Sequence, residues 1–135
     1  MDEVLGPTDG RFSKTEAELV GLFDVTQIAL ERALSGAAQR QQLLANNLAN
    51  ADTPGFKRTD LDFHSQLASA LAAGRPDTAF TPQTDTTSSM QADGNNVDID
   101  TEMAKLSQNA LDYQSLVAVA SSRLKMLQTA IGFGQ

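Results

Sequence analysis

The chain has no cysteine, no tryptophan, one tyrosine and one histidine in 135 residues. Without thiols it can form no disulfide and do no thiolate chemistry, and the redox compartment cannot be read from cysteine usage. Cations are also few. Ten Lys and Arg stand against seventeen Asp and Glu, for a formal net charge of −7, and the ten are scattered along the chain. Affinity for a phosphate backbone rests on clustered cations, so no nucleic-acid partner is expected. No stretch approaches the roughly 18 uncharged apolar residues of a membrane span. The first ten residues, with Asp2, Glu3 and Asp9, lack the basic and apolar regions of a cleaved secretory signal. A soluble protein is the expectation. Six Phe and an apolar content weighted toward Ala leave little large side-chain area to bury at about 25 cal/mol per Å². The chain has room for one domain, and its core should be small.

What is present is helical patterning at both ends. Ser13-Lys14-Thr15-Glu16 has capping-box spacing and predicts a helix start. From there Val20, Phe23, Gln27, Leu30, Leu34, Ala37, Gln41, Leu44 and Leu48 step by three and four, and seven of the nine are apolar. Gly36 weakens this helix by about 1 kcal/mol relative to Ala, and the poor helix formers Asn46, Asn47 and Asn50 predict fraying near Asn50. Thr53-Pro54-Gly55-Phe56 then carries Pro and Gly at the central positions of a type II turn.

Asp60, Asp62 and His64 alternate with Leu61 and Phe63, which predicts a short extended segment, and Ser65 to Ala73 reads as an Ala-rich helix stopped by Gly74. From Arg75 to Asn96 the only large apolar residues are Phe80 and Met90, so a mobile loop is expected. Asp98 and Asp100 are placed to cap a final helix. On that helix Ile99, Met103, Leu106, Ala110, Tyr113, Val117, Ala120, Leu124, Leu127 and Ile131 alternate steps of four and three without a break, before Gly132 and Gly134 end it. The seam exceeds four heptads, longer than so small a chain needs for its own core, and favours assembly between helices. The predicted fold is mainly α: long N- and C-terminal helices in a coiled-coil-like pair, with a flexible or weakly structured middle. The divisions are 1–18 as an N-terminal extension, 19–50 as the first helix, 51–97 as turn, short elements and loop, and 98–135 as the last helix, all in one structural unit.

Catalytic and metal readings find little support in the residues. Counting from Asp93, Asp98 falls where an EF-hand needs Gly and Ala104 where it needs a bidentate Glu, so Asp93 to Asp100 reads as a turn plus helix cap. Asp60 and Asp62 would share one face of a strand and could pair as acid and base with His64 nearby, but nothing else supports catalysis. Neither metal nor cofactor is expected.

The run Ala45-Asn46-Asn47-Leu48-Ala49-Asn50-Ala51-Asp52-Thr53-Pro54-Gly55-Phe56-Lys57 resembles the signature of the axial proteins of the bacterial flagellum. Its continuation through Asp62-Phe63, and a second block from Asp93 through Leu106, look most like the short proximal-rod branch of the flagellar basal-body rod protein family, rod protein B. The similarity spans roughly Leu19 to Gly132 and leaves Met1 to Glu18 as an extension. The resemblance implies a non-enzymatic structural subunit, exported through the flagellum's own type III apparatus to a periplasmic rod and polymerising around a central channel. Its implied partners are copies of itself, the adaptor at the rod base, the export gate and membrane ring, and rod protein C. The family motif comprises Asn46, Asn47, Leu48, Ala49, Asn50, Thr53, Pro54, Gly55, Phe56 and Lys57. The candidate assembly interface comprises Val20, Phe23, Leu30, Leu34, Leu44 and Leu48 with Ile99, Met103, Leu106, Tyr113, Val117, Leu124, Leu127 and Ile131. The asparagines 46, 47 and 50 are expected to bond backbone groups at the helix end or a neighbouring subunit. The alternatives are rod protein C itself, a soluble helical-hairpin adaptor or chaperone, and a metal-dependent enzyme using Asp60, Asp62 and His64.

Overall fold

A computed structural model describes residues 14–132, with the side chains of Val20 and Phe23 outside the described set along with the Ser13 cap and Gly134. Two long helices, α1 (Lys14–Ala49) and α3 (Ile99–Gly132), pack against each other. Between them lie β1 (Thr59–Asp60), the ten-residue helix α2 (Phe63–Ala72) and β2 (Gln83–Thr84). Helices therefore dominate, with a middle of short elements, as the end-weighted periodicity implies. At 1.5 Å rise per residue the long helices each extend about 50 Å.

Helix α1 ends at Ala49, where the three asparagines make helical propensity poorest. The turn that follows is as its composition dictates. Phe56 N donates to Thr53 O at 3.2 Å and Gly55 has φ +73°, the positive value a type II turn requires of its third residue.

The segment predicted to be extended through His64 becomes helical two residues earlier than expected. Only Thr59 and Asp60 form strand, pairing antiparallel with Thr84 and Gln83. Asp62 instead caps α2, its carboxylate accepting from Ser65 N at 3.1 Å. This puts Leu61 and Phe63 both fully inside rather than on one strand face. Helix α2 closes with Arg75 N donating to Ala70 O and Gly74 N to Leu71 O, a Schellman ending that Gly74 permits at φ +66°.

The core is small. Ala33, Ala37, Leu61 and Phe63 form it, with Leu43, Leu67, Phe80 and Leu116 packed around them. Burying Phe63 and Leu61 contributes on the order of 2–3 kcal/mol each. Gly36 is the reason Phe63 fits: a Cβ built there would lie 2.7 Å from Phe63 Cβ and Cγ. The residue that weakens α1 as a helix is the one that lets α2 close on it.

The N-terminal stripe largely serves this packing, since Ala37 and Leu44 are buried and Leu30, Leu34 and Leu48 half-buried. The C-terminal seam does not. Helix α3 turns Glu102, Asn109 and Leu116, one heptad line, toward α1. The centre of the apolar seam lies about 70° around the helix from that line at 100° per residue. Leu106, Ala110 and Ala120 are half-buried, whereas Ile99, Met103, Tyr113, Val117, Leu124, Leu127 and Ile131 are exposed, Ile131 at 75%.

Candidate functional site: the motif clasp and the free face of α3

The residues of the motif act mostly through their own chain. Asn47 is completely buried at the last full turn of α1, where its amide grips β1 from both sides: Nδ2 donates to Thr59 O at 2.8 Å and Oδ1 accepts from Thr59 N at 3.0 Å. The same Nδ2 donates to Glu102 Oε2 at 2.8 Å. Asn50 works locally, donating to Asn46 O and accepting from Thr53 Oγ1. Asn46 and Ala49 are exposed, as are Thr53 and Pro54 on the turn.

The second sequence block locks onto the first. Fully buried Asn95 aims Nδ2 at the carbonyls of Asn50, Ala51 and Thr53, at 2.9–3.0 Å, while its Oδ1 accepts from Val97 N. These carbonyls lie in the turn that follows α1, where those of Asn50 and Thr53 also accept from the amides of Thr53 and Phe56. Asn96 accepts from Arg58 N at 2.7 Å and donates to Asp85 O. Gly55 N donates to Asp93 O, and Lys57 Nζ donates to Gly94 O. The Arg75–Asn96 segment thus has little regular structure, and polar contacts rather than apolar anchors fix its C-terminal end.

Beneath this clasp three cations meet three carboxylates. Arg58 reaches Glu102 at 2.7 Å, Asp85 at 3.1 Å and Asp60 at 3.3 Å. Arg40 pairs with Asp60 at 2.8 Å, and Lys105 lies 3.5 Å from Asp60 and 3.6 Å from Glu102. Glu102 is completely buried, so its charge is tolerable only because Arg58 and Asn47 both donate to it. Burial raises the carboxyl of Asp60, but the Arg40 hydrogen bond and the Leu61 amide outweigh it and hold the group below its ordinary range. The hydroxyl of Ser88, with the amides of Thr87 and Ser88, depresses the Asp85 carboxyl strongly. Arg40 is raised by its bond to Asp60.

Asp60, Asp62 and His64 do not converge on one catalytic or metal-binding arrangement. Asp60 is held in the charge network, Asp62 caps α2, and His64 lies beside the Phe63 ring with Nε2 3.5 Å from Asp112. Asp93 Oδ1 accepts from Asn95 N and Asp98 Oδ1 from Thr101 N, a turn and an N-cap respectively. Among the described residues no group of three metal-ligating side chains is assembled.

Sequence reasoning missed Arg40, Arg58, Asn95 and Glu102 as organisers. Arg58 and Asp60 were visible as opposite charges just past the motif, but nothing local paired them with residues some forty positions away.

The described geometry has two parts: a polar clasp joining the end of α1 to the start of α3, and an apolar face left open along α3. Residues 29–57, which include the motif, match the model of the flagella basal body rod protein family. The flagellar basal body rod protein FlgB of Bacillus subtilis is 36% identical over 129 residues, covering 86% of this chain and all of that protein. That of Salmonella typhimurium is 34% identical over 125 residues, covering 77% and 91%. That of Borrelia hermsii is 28% identical over 134 residues, covering 83% and 99%. With nearly whole relatives matched end to end, this chain belongs to the flagellar basal body rod protein FlgB family.

Proposed function

We propose that the chain is a non-enzymatic structural subunit of the proximal rod, which polymerises through its long helices. The observation that carries this is the free face of α3: Ile99, Met103, Tyr113, Val117, Leu124, Leu127 and Ile131 are all between 40 and 75% exposed. Seven large apolar residues left open along one flank of a helix are more than scattered surface hydrophobics, and such a face marks an interaction site. In an unassembled chain such a face stands against water, and covering it drives association.

In this reading α1 and α3 have divided roles. The clasp fixes where α3 leaves the motif, and the open seam then meets neighbouring subunits. Leu30 lines a groove with Leu116 and Val119 of α3, and Leu34, Leu44 and Leu48 are buried or half-buried along the same helix. The partners are copies of this chain, rod protein C, the adaptor at the rod base, and the export gate and membrane ring. The chain reaches the periplasmic rod through the flagellar type III apparatus.

Leu124→Asp tests the reading. Leu124 is 57% exposed, so an Asp there leaves the monomer's helices in place but puts a charge on the assembly face. The expected result is normal synthesis, an unchanged circular dichroism spectrum, and loss of the chain from purified basal bodies with loss of motility. Normal motility of the variant would overturn the reading, as would finding the wild-type chain only in cytosol bound to a client.

A further inference from the structure

The clasp passes through the link between Asp93 and Gly94. An aspartate followed by glycine is open to backbone rearrangement, because glycine has no Cβ to keep its main-chain nitrogen away from the neighbouring carboxyl. Asp9 is the other aspartate that precedes a glycine, outside the described residues, and no asparagine precedes one. Asp93 is exposed, so water reaches its carboxyl. In the rearrangement the Gly94 nitrogen attacks Cγ of Asp93 and gives up its proton, and a carboxyl oxygen leaves as water. Water then opens the resulting succinimide ring at either of its carbonyls. Attack at Cγ restores aspartate. Attack at the main-chain carbonyl yields isoaspartate, whose chain runs on through Cβ and Cγ, with no atoms gained or lost overall.

Folded, the clasp keeps the two reacting groups apart. Gly94 N donates its hydrogen to Gln91 O at 2.9 Å, and Asp93 Oδ1 accepts from Asn95 N at 3.0 Å, one residue beyond the nitrogen that its carboxyl would have to meet. Both sides of the link are pinned as well. Asp93 O accepts from Gly55 N at 3.0 Å, and Gly94 O accepts from Lys57 Nζ. Ring closure requires the Gly94 amide to leave Gln91 and the Asp93 carboxyl to leave Asn95, which the shut clasp resists.

The product does not fit the same place. Isoaspartate lengthens the main chain by one carbon–carbon bond, about 1.5 Å. Asn95, two residues on, is completely buried, with Nδ2 2.9–3.0 Å from the carbonyls of Asn50, Ala51 and Thr53 and Oδ1 2.6 Å from Val97 N. A shift of that size exceeds the roughly 0.5 Å range of good hydrogen-bond lengths. We propose that Asp93-Gly94 is a site of spontaneous isomerisation guarded by the clasp: the link rearranges while the clasp is open, is protected once it shuts, and after rearranging no longer lets it shut. Chains are thereby sorted by how long they stay open.

The test holds the full-length chain at pH 7.5 for two weeks in buffer and in guanidinium chloride. Peptide mapping with electron-transfer fragmentation then distinguishes isoaspartate from aspartate at residue 93. Isoaspartate should form there at least tenfold faster in denaturant than in buffer. In buffer, Asn95→Ala should speed its formation severalfold. If that variant fails to fold by circular dichroism, Lys57→Met, which removes only the donor to Gly94 O, replaces it with the same expectation. Wild-type chain aged in denaturant and refolded should show a lowered urea midpoint in proportion to its isoaspartate. Asp93→Ser aged alike should keep its midpoint, because its hydroxyl can accept from Asn95 N but forms no succinimide. No isoaspartate at residue 93 in denaturant, equal rates with and without it, an unchanged rate in the folded variant, or an equal midpoint loss in aged Asp93→Ser would each overturn the proposal. None of these outcomes bears on the rod reading.

Discussion

Replacing Asn95 with Asp isolates the contact on which the clasp turns. The two side chains have nearly the same shape, and a carboxylate can still accept from Val97 N as Asn95 Oδ1 does. What is lost is the donor. Asn95 Nδ2 lies 2.9–3.0 Å from the carbonyls of Asn50, Ala51 and Thr53, and in the variant a negatively charged oxygen would face all three. The amide has only two hydrogens for these three acceptors, so two full hydrogen bonds are at stake. Asn50 O and Thr53 O keep the amides of Thr53 and Phe56, so Ala51 O is the carbonyl left without another described donor, at a cost of about 1–3 kcal/mol before repulsion is counted. That is a sizeable share of the 5–15 kcal/mol typical of a domain.

The variant also carries a pH signature. Its carboxyl is more comfortable protonated, when the OH can donate to a carbonyl, so its folded pKa rises above the unfolded value near 4. The penalty is full above that raised value and shrinks as pH falls through it. Urea denaturation followed by circular dichroism at pH 7.5 and pH 5 measures this. Asn95→Asp should be less stable than Asn95→Ala at pH 7.5, with the gap narrowing at pH 5. Asn95→Asp as stable as wild type at pH 7.5, or a penalty independent of pH, would refute the donor role.

The other expectations follow from the same geometry. Gly36→Ala gains about 1 kcal/mol of helix propensity but forces Phe63 away from a contact of 2.7 Å, at an overpacking cost of about 1–3 kcal/mol, so thermal denaturation should show a net loss that Phe63→Leu partly relieves. Glu102→Ala removes the 2.7 Å partner of the part-buried Arg58, which keeps Asp85 and Asp60, and one of the two acceptors of Asn47 Nδ2, and should cost about 1–3 kcal/mol in urea denaturation. Acid should loosen the clasp. The carboxyls of Asp60 and Asp85 are held below their ordinary range in the folded chain, so the stability they contribute is present above the unfolded pKa near 4 and is lost as pH falls below it. Denaturation midpoints should be flat from pH 5 to 7 and drop below pH 4, and a midpoint that rises on acidification would contradict the network.

What could be read from the sequence was local. Pro54 and Gly55 fix a turn by their own backbone preferences, Asp98 caps α3 through an amide three residues away, and the heptad steps declare two long helices. Long-range polar pairing was invisible, because nothing in the spacing of Asn95 or Glu102 says which distant carbonyl or guanidinium will meet it. The reading of Gly36 as a weak point was incomplete for the same reason, since the benefit lies across the chain at Phe63. The seam of α3 was legible as a pattern but not as a direction: Glu102 and Asn109, polar residues outside the apolar steps, turn inward to meet α1 and rotate the seam outward.

That outward face is the centre of the account, and its accessibility before and after assembly is the most direct test. Because the chain has no cysteine, Leu124→Cys provides a single thiol on the seam. Maleimide labelling should be rapid in the purified monomer and slowed at least tenfold in intact basal bodies from motile cells. Equal labelling in both would contradict the claim that the rod is built by covering this face.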